Sequence, residues 1–167
     1  MILIAYDGSD DAKAAIEHAA SLMPGEPAVV VTVWEPYVQM LTRYPAPGAL
    51  VVGGDETGEI DGASREAAED KSDEGAALAR SHGLEAASRA VAREDSVCET
   101  LLAEADRANA AAIVTGSRGL GGLSSLLLGS VSHALLQHAD RPVVIVPSPK
   151  VARRRNERRR ALDDAAV

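Results

Sequence analysis

Short apolar runs alternate with longer segments of helical periodicity over the first 147 residues of the chain. The runs predict buried β-strands at Ile2–Tyr6, Ala28–Trp34, Leu84–Ala92, Ala111–Val114 and Val143–Val146. The third run is rich in alanine, and its assignment as a strand depends on its position between two helical segments. The segments between the runs repeat apolar residues with the period of an amphipathic helix. This alternation predicts an α/β fold in which four helices flank five parallel strands.

Local signals place the ends of some helices. Ser9 or Asp10 is the expected N-cap of the first helix. The helix predicted over Ala63–His82 carries Gly75 in its middle, where glycine costs about 1 kcal/mol relative to alanine. Glu35–Gly58 is the least regular stretch and is interrupted by prolines and glycines. It is either a disordered connection or a short helix that leans on the site discussed below, through Tyr37, Met40, Leu41 and Tyr44.

The apolar pattern stops near Val151, and the charge changes sign there. Residues 148–167 hold seven Lys and Arg against three Asp and Glu, whereas residues 1–147 have a net charge of −12. We therefore predict one domain over residues 1–147 and an Arg-rich tail over residues 148–167. The tail is expected to be solvated and frayed, or else to be an electrostatic arm for an acidic partner or a nucleic acid.

Composition excludes several classes of protein. The acidic body argues against a general nucleic-acid surface. A single cysteine, Cys98, excludes an intrachain disulfide framework and a Cys-based zinc site, and we expect it to be a small buried apolar residue. The sequence lacks the pattern of a signal peptide and any apolar run near the roughly 18 residues of a spanning helix. A cytoplasmic protein without a membrane partner is expected.

Glycines cluster after the fourth predicted strand. The segment is not a Walker A loop, because no Lys lies between Arg107 and Lys150. It is not a dinucleotide-binding G-x-G-x-x-G either, because Ser124 stands where the last glycine is needed. The spacing that does fit is G-x2-G-x9-G-[ST], formed by Gly116, Gly119, Gly129 and Ser130. This spacing resembles the nucleotide-binding motif of the universal stress protein family, in its ATP-binding branch.

The resemblance covers almost all of residues 1–147 and implies a doubly wound sheet with the strand order 3-2-1-4-5. Such a Rossmann-like fold, similar to the adenine nucleotide alpha hydrolases, makes the first and fourth strands neighbours. The family has Asp–Gly–Ser at the position of Asp7, and its Asp contacts the adenine or ribose side of the nucleotide. A turn or helix-cap role is the alternative for Asp7. Ala5 stands where the family often has proline, and Val33 matches a backbone contact to adenine.

The other end of the motif is suited to phosphate. Gly116 and Gly119 lack Cβ atoms where ribose and phosphates would lie against the backbone. Gly129 and Ser130 begin a helix, whose free N–H groups and dipole favour an anion. The alternative is a glycine-rich turn before a capped helix. The predicted nucleotide-binding residues are Ala5, Tyr6, Asp7, Val33, Thr115, Gly116, Arg118, Gly119, Gly129, Ser130, Val131 and Ser132. ATP, with Mg²⁺, is the expected ligand, and no residue is assigned to a metal.

The sequence carries no evident catalytic machinery. It has no G-x-S-x-G elbow, and His133 and His138 are five residues apart, which does not suit a metal pair on one helix. A nucleotide-binding regulator is therefore expected, with a slow Mg-dependent ATPase or an interaction protein with a vestigial site as alternatives. The last strand, Val143–Val146, is expected at the sheet edge. Family members pair this edge with its copy in a second subunit, which implies a homodimer.

Overall fold

A computed structural model describes residues 1–43, 54–120 and 128–164 of the chain. Its five parallel strands form one sheet in the order β3-β2-β1-β4-β5. The strands are β1 (Ile2–Ala5), β2 (Pro27–Trp34), β3 (Glu85–Ala92), β4 (Ala112–Gly116) and β5 (Val143–Val146). The helices are α1 (Asp10–Leu22), α2 (Tyr37–Arg43), α3 (Gly54–Ser81), α4 (Val97–Arg107), α5 (Ser130–His138) and α6 (Pro149–Asp164). The predicted strand order and the doubly wound α/β class are confirmed.

The central strand, β1, brings the ends of two neighbouring strands together. Ala5 pairs with Val31 on one side and with Thr115 on the other. Because all strands run in one direction, the carboxyl ends of β1 and β4 lie side by side where the chain order along the sheet reverses. This is the place at which open α/β sheets bind their ligands.

Alternate side chains of the strands pack on opposite faces of the sheet. Ile4 and Val30 belong to a buried cluster with α1 and α3, whereas Leu3 and Val31 belong to a second cluster with α4 and α5. The alternation follows from the two-residue period of a strand. Both clusters consist almost entirely of Ala, Val, Leu and Ile, as expected for a chain without phenylalanine.

The alanine-rich third strand forms as predicted, although none of its eight residues is buried. Every residue from Glu85 to Ala92 pairs with a residue of β2. Backbone pairing with a strongly apolar neighbour therefore compensates for the low strand propensity of alanine.

Gly75 has a packing role that its helix propensity does not suggest. A Cβ atom at this position would lie 2.8 Å from both Tyr6 Cδ1 and Val30 Cγ1. Real side chains do not approach this closely, so the glycine allows α3 to lie directly against the sheet. The cost in helix propensity is offset by this close packing.

The last helix corrects an expectation. Residues 149–164, predicted as a frayed tail, form α6. Proline is well tolerated at the first position of a helix, and the arginines that follow are good helix formers. Ser148 and Val151 are buried, whereas residues 153–157 are exposed. Helix propensity and one anchored turn are thus enough to continue the structure without an apolar stripe.

The irregular stretch after β2 begins with the helix α2, in agreement with the helical alternative. The backbone N–H of Tyr37 donates to the Asp61 carboxylate of α3 at 2.7 Å. Tyr44 lies outside the described residues. In the described part of the chain, α2 contacts α3 and, through Arg43, the Asp95 carbonyl and the Glu35 carboxylate.

Replacing Gly75 with alanine should destabilise the protein, although alanine is the better helix former. The overlap with Tyr6 and Val30 is expected to lower the free energy of unfolding by about 1–3 kcal/mol. Gly62→Ala, in the same helix but with no atom within 4 Å of its added Cβ, is the matched control. It should raise the free energy of unfolding by about 0.5–1 kcal/mol. Urea unfolding of both variants measures the difference, and stabilisation by Gly75→Ala would contradict the packing role.

Candidate functional site

A cavity of about 470 Å³ opens at the carboxyl ends of β1 and β4. All twelve residues predicted from the sequence border it: Ala5, Tyr6, Asp7, Val33, Thr115, Gly116, Arg118, Gly119, Gly129, Ser130, Val131 and Ser132. They come from four separate segments of the chain, which the β1–β4 pairing and the start of α5 bring together. A volume of this size is in the range of small-molecule sites.

Five further lining residues were not predicted: Ala12, Val31, Val97, Leu101 and Leu120. Val31 precedes Val33 by two positions and so faces the same side of the sheet, which the alternation could have indicated. Val97 and Leu101 come from α4, whose packing on that side depends on the tertiary structure. The four side chains from β2 and α4 give the cavity an apolar wall that suits a flat, weakly polar group.

Asp7 connects the two strand ends. Its Oδ1 accepts a hydrogen bond from the Ser9 N–H at 3.0 Å, and its Oδ2 accepts one from the Leu120 N–H at 3.0 Å. The first bond is the turn role that the sequence left open. Ser9 is the N-cap of α1, because its hydroxyl oxygen accepts from the Ala12 N–H at 3.2 Å. Asp7 thus borders the cavity while it holds the loop after β4 against the end of β1.

Two of the motif glycines are needed for a reason other than the expected one. A Cβ at Gly116 would lie 2.7 Å from the backbone carbonyl carbon of Asp11, at the start of α1. A Cβ at Gly119 would overlap Asp7 Oδ2. The space above these glycines is therefore filled by the protein itself, and the glycines allow the close contact between α1, Asp7 and the loop.

Ser117, which the glycine spacing does not predict as a site residue, organises the loop. Its N–H donates to the Val146 carbonyl at 2.7 Å, and its hydroxyl donates to Asp11 Oδ2 at 2.6 Å. Its carbonyl accepts from the Gly129 N–H at 2.7 Å and from the Ser132 hydroxyl at 3.0 Å. Ser117 is fully buried, so each of these bonds satisfies a group that water cannot reach. Nothing in the spacing of glycines reveals such a residue.

The start of α5 keeps the features that favour an anion. Gly129 is its N-cap with an extended backbone, φ −72° and ψ 163°, and provides no side-chain cap. The first N–H groups of a helix have no partner within it, and here they belong to Ser130, Val131 and Ser132. Ser130 is exposed, whereas Ser132 is buried and uses its hydroxyl hydrogen inside the loop. The Ser130 hydroxyl is therefore the better donor for a ligand.

Arg118 provides the positive charge of the site. Its Nε lies 4.0 Å from Asp11 Oδ2, and its side chain is 17% exposed. The contact with Asp11 and the small exposure mean that Arg118 is not a freely solvated loop residue. Its guanidinium lies near Asp11 at the start of α1, and its Cα lies near Gly129 at the start of α5.

Two groups that could have been chemically active are held neutral. The Tyr6 hydroxyl donates to Glu74 at 3.0 Å on the α3 side of the sheet. Burial, and then this carboxylate, raise the pKa of the Tyr6 phenol above its usual value. Burial also raises the pKa of the Cys98 thiol, which lies in the second core cluster. The expectation that Cys98 is a buried apolar residue is confirmed.

The described residues contain no group of three or more His, Cys, Asp and Glu that could hold a metal ion. His133 and His138 are exposed on α5. Within the same described ranges, no helix has both the length and the apolar character needed to cross a membrane.

Comparison with known proteins assigns the family. The profile of the universal stress protein family matches residues 1–147. The chain belongs to the universal stress protein family. A Thermus aquaticus member, the universal stress protein in the QAH/OAS sulfhydrylase 3' region, is 34% identical over 87% of this chain and 96% of its own length. A Mycolicibacterium smegmatis universal stress protein is 42% identical over 69 residues, which are 41% of this chain and 22% of that protein.

Solved structures of the family share the fold. A Burkholderia pseudomallei member is 29% identical, with a TM-score of 0.61 over 87% of this chain and 94% of its own. Three others were solved with ligands: a universal stress protein with cAMP, one from Archaeoglobus fulgidus with dAMP, and one from Arabidopsis thaliana with AMP. Their identities are 24%, 23% and 15%, and their TM-scores are 0.56, 0.54 and 0.54. In the same order, the three matches cover 88%, 87% and 87% of this chain, and 96%, 95% and 90% of the length of the solved chain.

Replacing Asp7 with alanine should lower the free energy of unfolding, because the carboxylate accepts two backbone N–H groups. We expect a loss of about 1–2 kcal/mol, since Leu120 is exposed and water can replace part of its bond. Asp10→Ala, an exposed acid in the first turn of α1, should cost less than about 1 kcal/mol. Thermal or urea unfolding compares the two variants. Equal losses of unfolding free energy in the two variants would mean that Asp7 acts only as a further negative charge near the start of α1.

Proposed function

We propose that this protein binds an adenine nucleotide in the cavity between the ends of β1 and β4, and acts through that binding as a regulatory protein. The proposal is supported most directly by the twelve predicted nucleotide-binding residues, which all border one cavity. Four of these residues form the G-x2-G-x9-G-[ST] spacing, and Asp7 and Val33 follow from the family resemblance, whereas the cavity depends on strand pairing and helix packing.

The two ends of the cavity suit the two ends of a nucleotide. The apolar wall of Val31, Val33, Val97 and Leu101 can hold the flat face of adenine, with backbone groups of β2 near its edge. The N–H groups at the start of α5, with Ser130 and Arg118, can hold phosphate. Asp7 borders the same cavity, where it would meet the adenine or ribose side of the nucleotide.

The ligands of the neighbours favour the same class. The family structures with AMP, dAMP and cAMP all carry an adenine base and one phosphate group. We propose ATP, accompanied by Mg²⁺, as the nucleotide of this chain, because its G-x2-G-x9-G-[ST] spacing is that of the ATP-binding branch. The cytoplasmic location stays a prediction.

Regulation by binding is favoured over rapid catalysis. The loop has no Lys, and the Asp7 oxygens and the Ser132 hydrogen are engaged with backbone groups. Neither the Asp7 carboxylate nor the Ser132 hydroxyl is therefore an evident general base for water. Measuring phosphate release with Mg·ATP separates a binding protein from a slow ATPase. Equilibrium binding of nucleotide separates both from a protein with a vestigial site.

Two substitutions at the start of α5 test the phosphate end. A Cβ at Gly129 would lie 3.3 Å from Arg118 Cα, so the branched side chain of Gly129→Val would crowd the loop and the space for phosphate. The φ of −72° suits any residue, so crowding alone is expected to nearly abolish ATP binding. Ser130→Ala removes one exposed hydroxyl and keeps the backbone donors. It should weaken ATP binding by about 0.5–1.5 kcal/mol.

Titration calorimetry with ATP and adenosine provides the control, because adenosine has no phosphate. Both variants should lose more affinity for ATP than for adenosine. Equal losses for the two ligands would indicate a general distortion of the site, and the phosphate assignment at Gly129 and Ser130 would be wrong.

We also propose a homodimer formed through β5. This strand is at one edge of the sheet, and Val143, Val144 and Ile145 are only partly buried. An apolar edge strand is a liability unless another strand covers it. Antiparallel pairing with the same strand of a second copy would cover both edges by one two-fold contact.

Ile145→Lys should dissociate the dimer with little effect on the fold. Val143 and Val144 pack against the two core clusters, whereas Ile145 belongs to neither, so the charge at 145 acts mainly on the edge. Leu22→Lys, which changes an apolar side chain that is 63% exposed on α1, is the control and should leave the dimer intact. Sedimentation velocity at micromolar concentration measures the state. An unmodified protein that sediments as a monomer would contradict the proposal.

A further inference from the structure

A second cavity, of about 450 Å³, lies beside the first. Arg118, Gly119 and Leu120 border both cavities, so the loop after β4 is the shared wall between them. The other lining residues come from the start of α1 and from α6: Gly8, Ser9, Asp10, Asp11, Ser148, Lys150 and Arg154. The two cavities are therefore adjacent at this loop, and the second is bordered by the C-terminal helix.

The side chains that α6 contributes are positively charged. Lys150 and Arg154 are four residues apart in the helix and so lie on one face of it. Both are exposed, and neither forms a salt bridge with any residue in the described part of the chain, although the chain has a net charge of −8. With Arg118 they make three cations around one cavity.

The acids of this cavity do not neutralise the three cations. Asp11 is buried and already accepts the Ser117 hydroxyl at 2.6 Å, with Arg118 close to the same oxygen. Asp10 is exposed and is the remaining carboxylate of the lining. The lining thus carries three positive and two negative side chains, with both free cations on the α6 side.

The first turn of α6 is anchored to the rest of the fold. The Ala152 N–H donates to the Ser148 carbonyl at 2.9 Å. Val151, which follows Lys150, is buried, with 7% of its surface exposed. Ser148 follows β5, whose last residue, Val146, pairs with Gly116 of β4. The start of α6 therefore lies at the carboxyl end of the sheet, where the first cavity also opens.

We propose that the second cavity binds the outer phosphates of a nucleoside di- or triphosphate, through Lys150 and Arg154 of α6 together with Arg118. This inference rests on the proposed function, since the first cavity would hold the nucleoside and the first phosphate. The helix at the end of the chain then gives the site a preference for ATP and ADP over AMP. Phosphate groups recruit Lys and Arg because each phosphate accepts several charge-assisted hydrogen bonds.

The test compares two double variants of the full chain. Lys150→Ala with Arg154→Ala removes the cations that border the cavity. Arg153→Ala with Arg159→Ala removes the same charge from exposed positions of α6 that do not border it. Calorimetry with AMP, ADP and ATP at fixed ionic strength measures affinity, and circular dichroism checks that both variants keep the fold. Competition with inorganic tripolyphosphate probes the second cavity without a nucleoside.

The first variant should lose about tenfold or more in ATP affinity, less for ADP, and about twofold or less for AMP. The second variant should bind all three nucleotides as the unmodified protein does. Tripolyphosphate should compete with ATP in the unmodified protein and fail to do so in the first variant.

Other outcomes overturn the inference or the proposed function separately. Equal losses in the two variants would mean a general effect of the basic helix, as expected of an arm for a nucleic acid, and would overturn the subsite. Unchanged ATP affinity in both double variants would also overturn the phosphate subsite. The binding of AMP would still support the proposed function. Binding of tripolyphosphate that depends on Lys150 and Arg154, without binding of any nucleotide, would keep the anion subsite and contradict the proposed function.

Discussion

The geometry of the candidate site depends on the hydrogen bonds of Ser117. This one buried residue is bonded to the end of β5, to Asp11 of α1, and to Gly129 and Ser132 at the start of α5. The adjacent Gly116 makes these bonds possible, because without a Cβ it lets the backbone of Asp11 approach β4. Removing either feature would separate α1 and α5 from the loop that both cavities share. The ligand-facing groups are thus positioned by residues that do not themselves need to touch a ligand.

The sheet divides its two faces between stability and binding. On one face, Tyr6 packs under α3 at Gly75 and bonds Glu74, which closes that side. On the other face, Val31, Val97 and Leu101 leave a cavity between β2, α4 and the loop. Because neighbouring residues of β1 point to opposite faces, the same strand can be anchored on one side and open on the other.

The sequence predicted those parts of the structure that arise from local pattern. Apolar runs located all five strands, and glycine spacing located the loop after β4 and the start of α5, whereas Asp7 and Val33 were predicted from the family resemblance. It did not predict the apolar wall, since Val97 and Leu101 reach the site only through packing of α4 on the sheet. It gave the wrong reason for Gly116 and Gly119, because a glycine shows that space is needed but not what fills that space. It missed α6, whose helix depends on propensity and one buried turn rather than on an apolar stripe.

The charge distribution explains the benefit of a basic helix, α6, beside the cavities of an acidic protein. A net charge of −12 on residues 1–147 repels a polyphosphate at long range. At physiological salt this repulsion is screened over about 8 Å, so cations in direct contact with a phosphate outweigh distant carboxylates. The N–H groups of α5 and the single Arg118 would face this field alone if the chain ended at β5. Lys150 and Arg154 add positive charge where the ligand charge would be greatest. Both belong to α6, which begins at the carboxyl end of the sheet, beside the cavity.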